Sequence, residues 1–431
     1  MNISAETLEQ IHPDNQPASR GISILLVSVC ILVLGNNLQN TLLGVRAGVE
    51  GMSSLGIGLM MSSYFAGFVL GSVYLPRLIV AVGHIRTYAA LASMASAITL
   101  AYILAVFLPA WVALRFLQGL CYAGMILVIE SWLNGCSTKA TRGRVLATYG
   151  IVFWGTAATS QTLLNLAPAQ SFILFGVVSI LVSMALVPIT LAPTRAPSSV
   201  PSKRLQLKRL QAISPLGLLG VLVSGLCIGA AWGMGPVFAD NVDLDSVGIS
   251  LFMASLMAGT LLFQWPLGRL SDMVDRRYVI VVAGTVAGAI SLLIAFGMPH
   301  SFPVLIALVL LYGGFSFPLY SLGVAHVNDC VSVEESVGTA STLILLQGVG
   351  SALGPLIAGA LMGAVGPAGL FFFVGTSLLA LAVYGLFMIP LRKPSSSKIK
   401  RAFMAVPRIS HVLLWEYSRR KKKSRGAVQN N

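Results

Sequence analysis

Residues 111–135 read WVALRFLQGLCYAGMILVIESWLNG. The run is apolar and about as long as a helix needs to be to cross a lipid bilayer. It nevertheless contains an arginine, Arg115, and a glutamate, Glu130. A charge at the bilayer centre costs roughly 2.5–3.5 kcal/mol on insertion scales, so it normally faces protein or water. The stretch therefore reads as a spanning helix with two positions turned away from lipid.

The rest of the chain is built the same way. Apolar residues make up 56% of the sequence, charged residues 10%, and 43 glycines are scattered through the apolar stretches. A soluble chain would carry about 25% charged residues. Apolar segments fall near 21–45, 53–76, 86–107, 111–133, 145–166 and 171–192, and then near 215–239, 247–269, 278–298, 303–326, 337–363 and 369–391. Each is long enough to span a hydrocarbon core of about 30 Å as a helix. Runs of this length satisfy their backbone in lipid as helices. The expected fold class is an all-α polytopic membrane protein with twelve transmembrane helices.

Charge orients the segments. If both termini are cytoplasmic, all of the 28 basic residues except Arg46 and Arg115 fall on the cytoplasmic side, as the positive-inside bias requires. The net charge of +14 is then accounted for without nucleic acid. The first 20 residues are polar and lack a basic start before an apolar core, so no cleaved leader is expected. Cys30, Cys121 and Cys227 lie in apolar runs and Cys136 and Cys330 in short connections, a pattern that supports no disulfide framework.

A Pro/Ser-rich and then basic stretch, 193–214, divides the chain into a six-helix bundle at 21–192 and another at 215–391. Residues 1–20 form a polar leading segment and 392–431 a basic cytoplasmic tail. A weak internal repeat supports the division. GSVYLPRLIVAVGHIR (71–86) and LFQWPLGRLSDMVDRR (262–277) occupy like places, as do ESWLNGCSTKATRG (130–143) and AHVNDCVSVEESVG (325–338). Two parallel six-helix repeats around a midplane site are the plan of one large class of secondary transporters.

GRLSDMVDRR (268–277) resembles the loop motif G-x-x-x-D-R-x-G-R-R of the major facilitator superfamily, and RFLQGLCYAG is similar to that family's R-x-x-x-G motif in the fourth helix. SYFAGFVLG, VGHIRTYAALAS, IESWLN and AHVND are similar to its YcaD-like branch. The resemblance covers 20–391 and implies the major facilitator fold. It implies a tight turn at Gly268, a conformational latch at Asp272, and a helix start at Arg276 and Arg277. In the first half Val80 stands at the latch position, so the latch is expected to be one-sided. The fifth helix lacks the Gly-Pro motif of the family's drug/proton antiporters, and a similar element, GVGSALGPLIAG (348–359), lies in the eleventh.

The resemblance places helices 1, 4, 7 and 10 around a central cavity, and their polar residues supply the candidates. The first helix carries Asn36, Asn37, Gln39 and Asn40, amides that act either as glue between helices or as substrate contacts. In the tenth, Tyr312, Ser316 and Tyr320 recur every four residues and share a stripe. Trp232 adds an aromatic donor, and Tyr122 and Gln347 are further candidates. Arg115 and Glu130 lie about 22 Å apart along one helix, so they cannot pair. Arg115 is expected to face the cavity as a fixed charge. Glu130 is open to three readings: proton coupling, a gate or latch near Arg77, Arg86 or Arg142, or snorkelling to the interface.

No G-x-x-x-x-G-K-[ST] loop is present, the five histidines are dispersed, and no cofactor or metal site is expected. The chain reads as no enzyme but as a monomeric, proton-coupled secondary transporter of a small organic solute, neutral or weakly anionic, in a plasma (bacterial inner) membrane. A transporter-fold sensor that binds without translocating is the alternative. The tail, with SRRKKKSRG near its end, is either an anionic-lipid contact or a chain that merely follows the charge bias.

Overall fold

The computed structural model describes residues 18–137, 141–191, 207–297, 301–331 and 335–391. The leading segment, the first part of the linker and the basic tail, with the roles expected of them, lie outside the described residues.

The first half consists of α1 (Ala18–Val49), α2 (Ser54–Val82), α3 (His84–Leu104), α4 (Leu108–Cys136), α5 (Arg142–Ser160) and α6 (Phe172–Thr190). After a short helix, Leu207–Ile213, come α7 (Pro215–Asn241), α8 (Ser246–Met273), α9 (Arg276–Gly297), α10 (Phe302–Cys330), α11 (Ser336–Val365) and α12 (Gly369–Leu391). Among the described residues, 11 helices are long and apolar enough to cross a membrane. The remaining expected segment, 145–166, is α5 followed by a 3-10 turn, Gln161–Leu166.

Local chemistry sets the helix ends. Ser53 and Asp245 cap α2 and α8 in the same way, each accepting a hydrogen bond from the backbone N–H three residues on, Gly56 and Gly248. Gly83, at φ 97°, ends α2 in a conformation that side chains disfavour. The tight turn expected at Gly268 is not there, because α8 runs unbroken to Met273. The chain instead turns at Val274–Asp275, where the Asp275 carboxylate accepts from the Arg277 N–H at 3.0 Å. Burial pushes the Asp275 carboxyl up, but hydrogen bonds and charge from Arg277 outweigh it and hold the group below its ordinary value.

Within each half the helices meet backbone to backbone. A Cβ at Gly67 of α2 would strike the Phe116 carbonyl of α4, and one at Gly119 of α4 would strike the Tyr64 carbonyl of α2. The second half repeats the device between α8 and α10, with Gly259 against Leu310 and Gly313 against Leu256. Without a hydrophobic force between helices in lipid, such close approach through small residues is the main source of cohesion. Large apolar side chains such as Trp265, Phe296 and Phe387 stand exposed on the outside, as lipid requires.

The two halves touch chiefly toward one end. Gly58 of α2 faces the Pro355 carbonyl and Gly359 of α11, Gly359 in turn faces the Ser54 carbonyl, and Gly44 of α1 lies under Pro236 of α7. Ser250 donates to Asn165 at 3.4 Å nearby. This end holds the α1–α2 and α7–α8 connections and is called the sealed end below.

Candidate functional site

A cavity lies between the halves, from mid-depth toward the end opposite the seal. Its walls are Tyr64, Phe65, Phe68, Val69 and Ser72 of α2, Tyr122, Ile126 and Glu130 of α4, Tyr149 and Phe153 of α5, Trp232 of α7, and Ile344, Gln347, Gly348 and Ser351 of α11. Helical spacing explains the membership. Tyr122, Ile126 and Glu130 recur every four residues, as do Tyr64, Phe68 and Ser72, so each set shares a face. Both halves contribute walls.

Glu130 is 4% exposed. Its Oε1 accepts from the Tyr149 hydroxyl at 3.2 Å, and its Oε2 has no hydrogen-bond partner. Arg77 and Arg86, offered above as latch partners, are exposed on either side of the α2–α3 turn, and no ion pair joins them to Glu130 among the described residues. Glu130 is therefore a cavity residue held by Tyr149, and it is not snorkelling, since its carboxylate is buried.

Arg115 is fully buried and does not line the cavity. Its guanidinium stacks 4.5 Å from the Tyr64 ring centroid and donates through Nη2 to Asn40 Oδ1 and, at 3.4 Å, to Met61 Sδ. Tyr64 thus stands between the arginine and the cavity, with its hydroxyl donating to Asn36 at 3.1 Å. The cavity-facing expectation for Arg115 gives way to a stacked one, because the α2–α4 contact at Gly67 and Gly119 brings Tyr64 directly over the guanidinium.

The first-helix amides are consumed inside the protein. Asn37 turns back to donate to Val33 O at 2.9 Å. Gln39 accepts from Gln118 at 2.7 Å and donates to Thr99 at 3.2 Å, joining α1, α3 and α4. Asn40 accepts from Arg115 and donates to the Trp232 carbonyl at 2.7 Å, so one side chain links both halves. None of the three lines the cavity.

Tyr312, Ser316 and Tyr320 are buried but do not line it either. The Tyr312 ring packs at 5.7 Å against Phe371 of α12, inside the second half. The helical phase of the stripe is also interrupted, because α10 consists of Phe302–Ser316 and Leu319–Cys330 joined at Phe317–Pro318. Of the substrate candidates, the structure brings Tyr122, Trp232 and Gln347 together with Glu130.

Sequence reasoning missed Tyr64, Phe68, Tyr149 and Phe153. The signal was present in SYFAGF and TYGIVF as aromatics spaced four apart, the spacing used to single out the α10 stripe. At the turn between α8 and α9, Arg276 bonds to Asp272 at 3.0 Å, Ser271 at 2.8 Å and Asp329 of α10 at 2.8 Å, while Arg277 pairs with Asp275 at 2.6 Å. Asp329, the last residue of AHVND, completes this junction and was not among the candidates. In the first half His84 stands where Arg276 does, and bonds Ser131 of α4 at 3.2 Å. One junction is ionic and the other is neutral.

Two helical halves enclosing a shared cavity give the two-bundle architecture on which one large class of membrane transporters is built. The family description Major Facilitator Superfamily matches residues 217–423. An MFS-type transporter of Yersinia enterocolitica, YE1530, is 28% identical over 387 residues, covering 88% of this chain and 97% of that protein. The MFS-type transporter YcaD of Escherichia fergusonii is 29% identical over 355 residues, covering 80% of this chain and 89% of YcaD. A crystal structure of a variant of the nucleoside transporter NupG superposes with a TM-score of 0.73 at 13% identity, over 86% of this chain and 100% of that one. The chain is an integral membrane protein that shares this fold and is similar over most of its length to transporters of the major facilitator superfamily.

Proposed function

We propose that this transporter moves a small organic solute by alternating access and draws on a proton gradient, working as a monomer with membrane lipid as its solvent. One observation carries the reading: a buried carboxylate, Glu130, lines a cavity walled by both halves, and the contacts between those halves gather at one end. Among the lining residues Glu130 is the one carboxylic acid, and a carboxylic acid can take up and release a proton within the cycle. Rocking of the halves, with the contacts at the sealed end parting as the opposite end closes, would expose it to the two sides in turn.

The positive-inside bias assigns the sealed end to the outside, which makes the described conformation inward-facing. A phosphatase reporter inserted between Asp240 and Asp245 should be active outside the cell, and one fused after Asn431 should be inactive. The reverse pattern overturns the orientation.

The transport reading is tested in proteoliposomes loaded with a pH-sensitive dye. Addition of a transported solute should drive proton movement in wild-type vesicles, and Glu130→Gln should slow it by at least about tenfold, a barrier change of ~1.4 kcal/mol. Solute flux in Glu130→Gln at the wild-type rate, with wild-type proton movement, removes Glu130 from coupling.

A further inference from the structure

We infer that the central cavity binds an organic monocation, and that this cation and a proton exclude each other at the Glu130 carboxylate. The inference rests on the transport reading above and gives it a substrate class. It departs from the neutral or weakly anionic solute expected of the sequence.

The departure comes from where the charges lie. The sequence places Arg115 among the cavity candidates, but no lysine, arginine or histidine is among the lining residues. Arg115 is screened from the cavity by Tyr64 and occupied by Asn40. The charge that does reach the cavity is negative, and one of its two oxygens, Oε2, has no hydrogen-bond partner. An anion entering this space would meet a carboxylate, and a neutral apolar solute would leave Oε2 unsatisfied. Either costs free energy that a cation recovers.

The walls have the matching character. Rings of Tyr64, Phe68, Tyr122, Tyr149, Phe153 and Trp232 line the same cavity as the carboxylate, and the Tyr149 hydroxyl bonds to it directly. Aromatic faces carry negative charge density and attract cations, the more so when desolvated, with quaternary ammonium groups as the recurrent ligand of such cages. The Gln347 amide adds a polar contact from the facing half.

Other titratable groups near Glu130 do not supply a competing charge. From α2 come Tyr64, and Tyr74 and Arg77, which are exposed. From α3 come His84, bonded to Ser131, buried Tyr88 and Tyr102, and exposed Arg86. From α5 come Tyr149, bonded to Glu130, and exposed Arg144. On α1, Arg46 is paired with Glu50 at the sealed end.

The exchange balances without a further reactant. The protonated carboxyl gives its proton to water, the cation takes its place beside the carboxylate, and the next protonation displaces the cation. One positive charge leaves for each that arrives, so the exchange of a monocation for a proton is electroneutral.

The probes are benzyltrimethylammonium, a permanent cation, and 3-phenylpropionate, an anion of similar size, each titrated calorimetrically into detergent-purified full-length protein. At pH 8 the cation should bind and the anion should not, and at lower pH, where the carboxyl is protonated, cation binding should release a proton to the buffer. Cation affinity should fall on acidification, by at most about tenfold per pH unit for one displaced proton. Glu130→Gln should weaken the cation by at least about tenfold and remove the pH dependence. Tyr149→Phe keeps the carboxylate and the ring, so it should retain cation binding. If Glu130→Gln does not fold, the wild-type pH series and proton release decide alone.

Failure of the cation to bind at pH 8, binding of the anion in its place, or cation affinity indifferent to pH overturns the proposal. Proton-driven flux of an anionic or neutral solute would discard the cation and leave the transport reading standing. Cation binding without counterflow in proteoliposomes would do the opposite.

Discussion

Gly119→Val should leave little folded protein to purify. A side chain at Gly119 would be driven into the Tyr64 carbonyl, and the reciprocal position, Gly67, is closed by the Phe116 carbonyl. Overpacking a core usually costs about 1–3 kcal/mol because side chains can shift. Here the obstacle is backbone on both sides, so α2 and α4 must separate, and with them Tyr64, Tyr122 and the cation–π contact to Arg115. The cost should exceed that range. The check is size-exclusion chromatography after extraction in mild detergent, where the monodisperse peak should be lost. Gly150→Ala is the control: nothing lies within 4 Å of a Cβ at Gly150 of α5, so that variant should elute as wild type. A monodisperse Gly119→Val would mean that the helices do not meet this closely.

Arg115→Met should separate stability from transport. Arg115 is fully buried, and no carboxylate pairs with it among the described residues. Its Nε and Nη1 lack hydrogen-bond partners. Replacing a poorly compensated buried charge with an apolar side chain of similar length is often stabilising, by about 1–4 kcal/mol where ion pairs have been replaced. Methionine should therefore raise the thermal midpoint of the purified protein. It should also cut transport by at least about tenfold, because Arg115 holds Asn40, and Asn40 holds the Trp232 carbonyl of the other half. Sites that store an unfavourable charge for function show this trade-off. A variant that is less stable yet transports normally would make Arg115 a structural residue alone.

The fold was legible because lipid leaves few options. Long apolar runs must be helices, and basic residues must sort to one side, so the segments could be counted from composition alone. The site was legible only in part, for a geometric reason. Polar residues on a spanning helix are visible in the sequence, but the direction each one faces is not. Asn37, Gln39 and Asn40 looked like a substrate surface and proved to be bonded within the protein. Arg115 and Glu130 looked alike as buried charges, yet one lies behind a tyrosine and the other in the cavity. Their difference is set by Tyr64 and Tyr149, which belong to other helices and could not be paired with them by spacing. The aromatics of α2 and α5 went unnoticed because a shared wall forms only when α2, α4 and α5 lie side by side. The Arg276 junction was half visible: Asp272 and the arginines lie within one loop, while Asp329 lies 53 positions away from Arg276.

The contact of Gly58 with Gly359 has a mechanical meaning. It is made by main chain against main chain, with no side chain to flex, so while it holds it should act as a hinge pin and not as a spring. Force applied anywhere on one half is then passed on as rotation and not absorbed as local compression. A tilt of about 10° about such a pin, carried across the ~30 Å hydrocarbon core, shifts the far helix ends by roughly 5 Å, enough to admit or retain a small molecule. The lever arm is the membrane thickness itself. A substitution that pads the pin would therefore change the width of the distant mouth without touching a single residue that the solute meets.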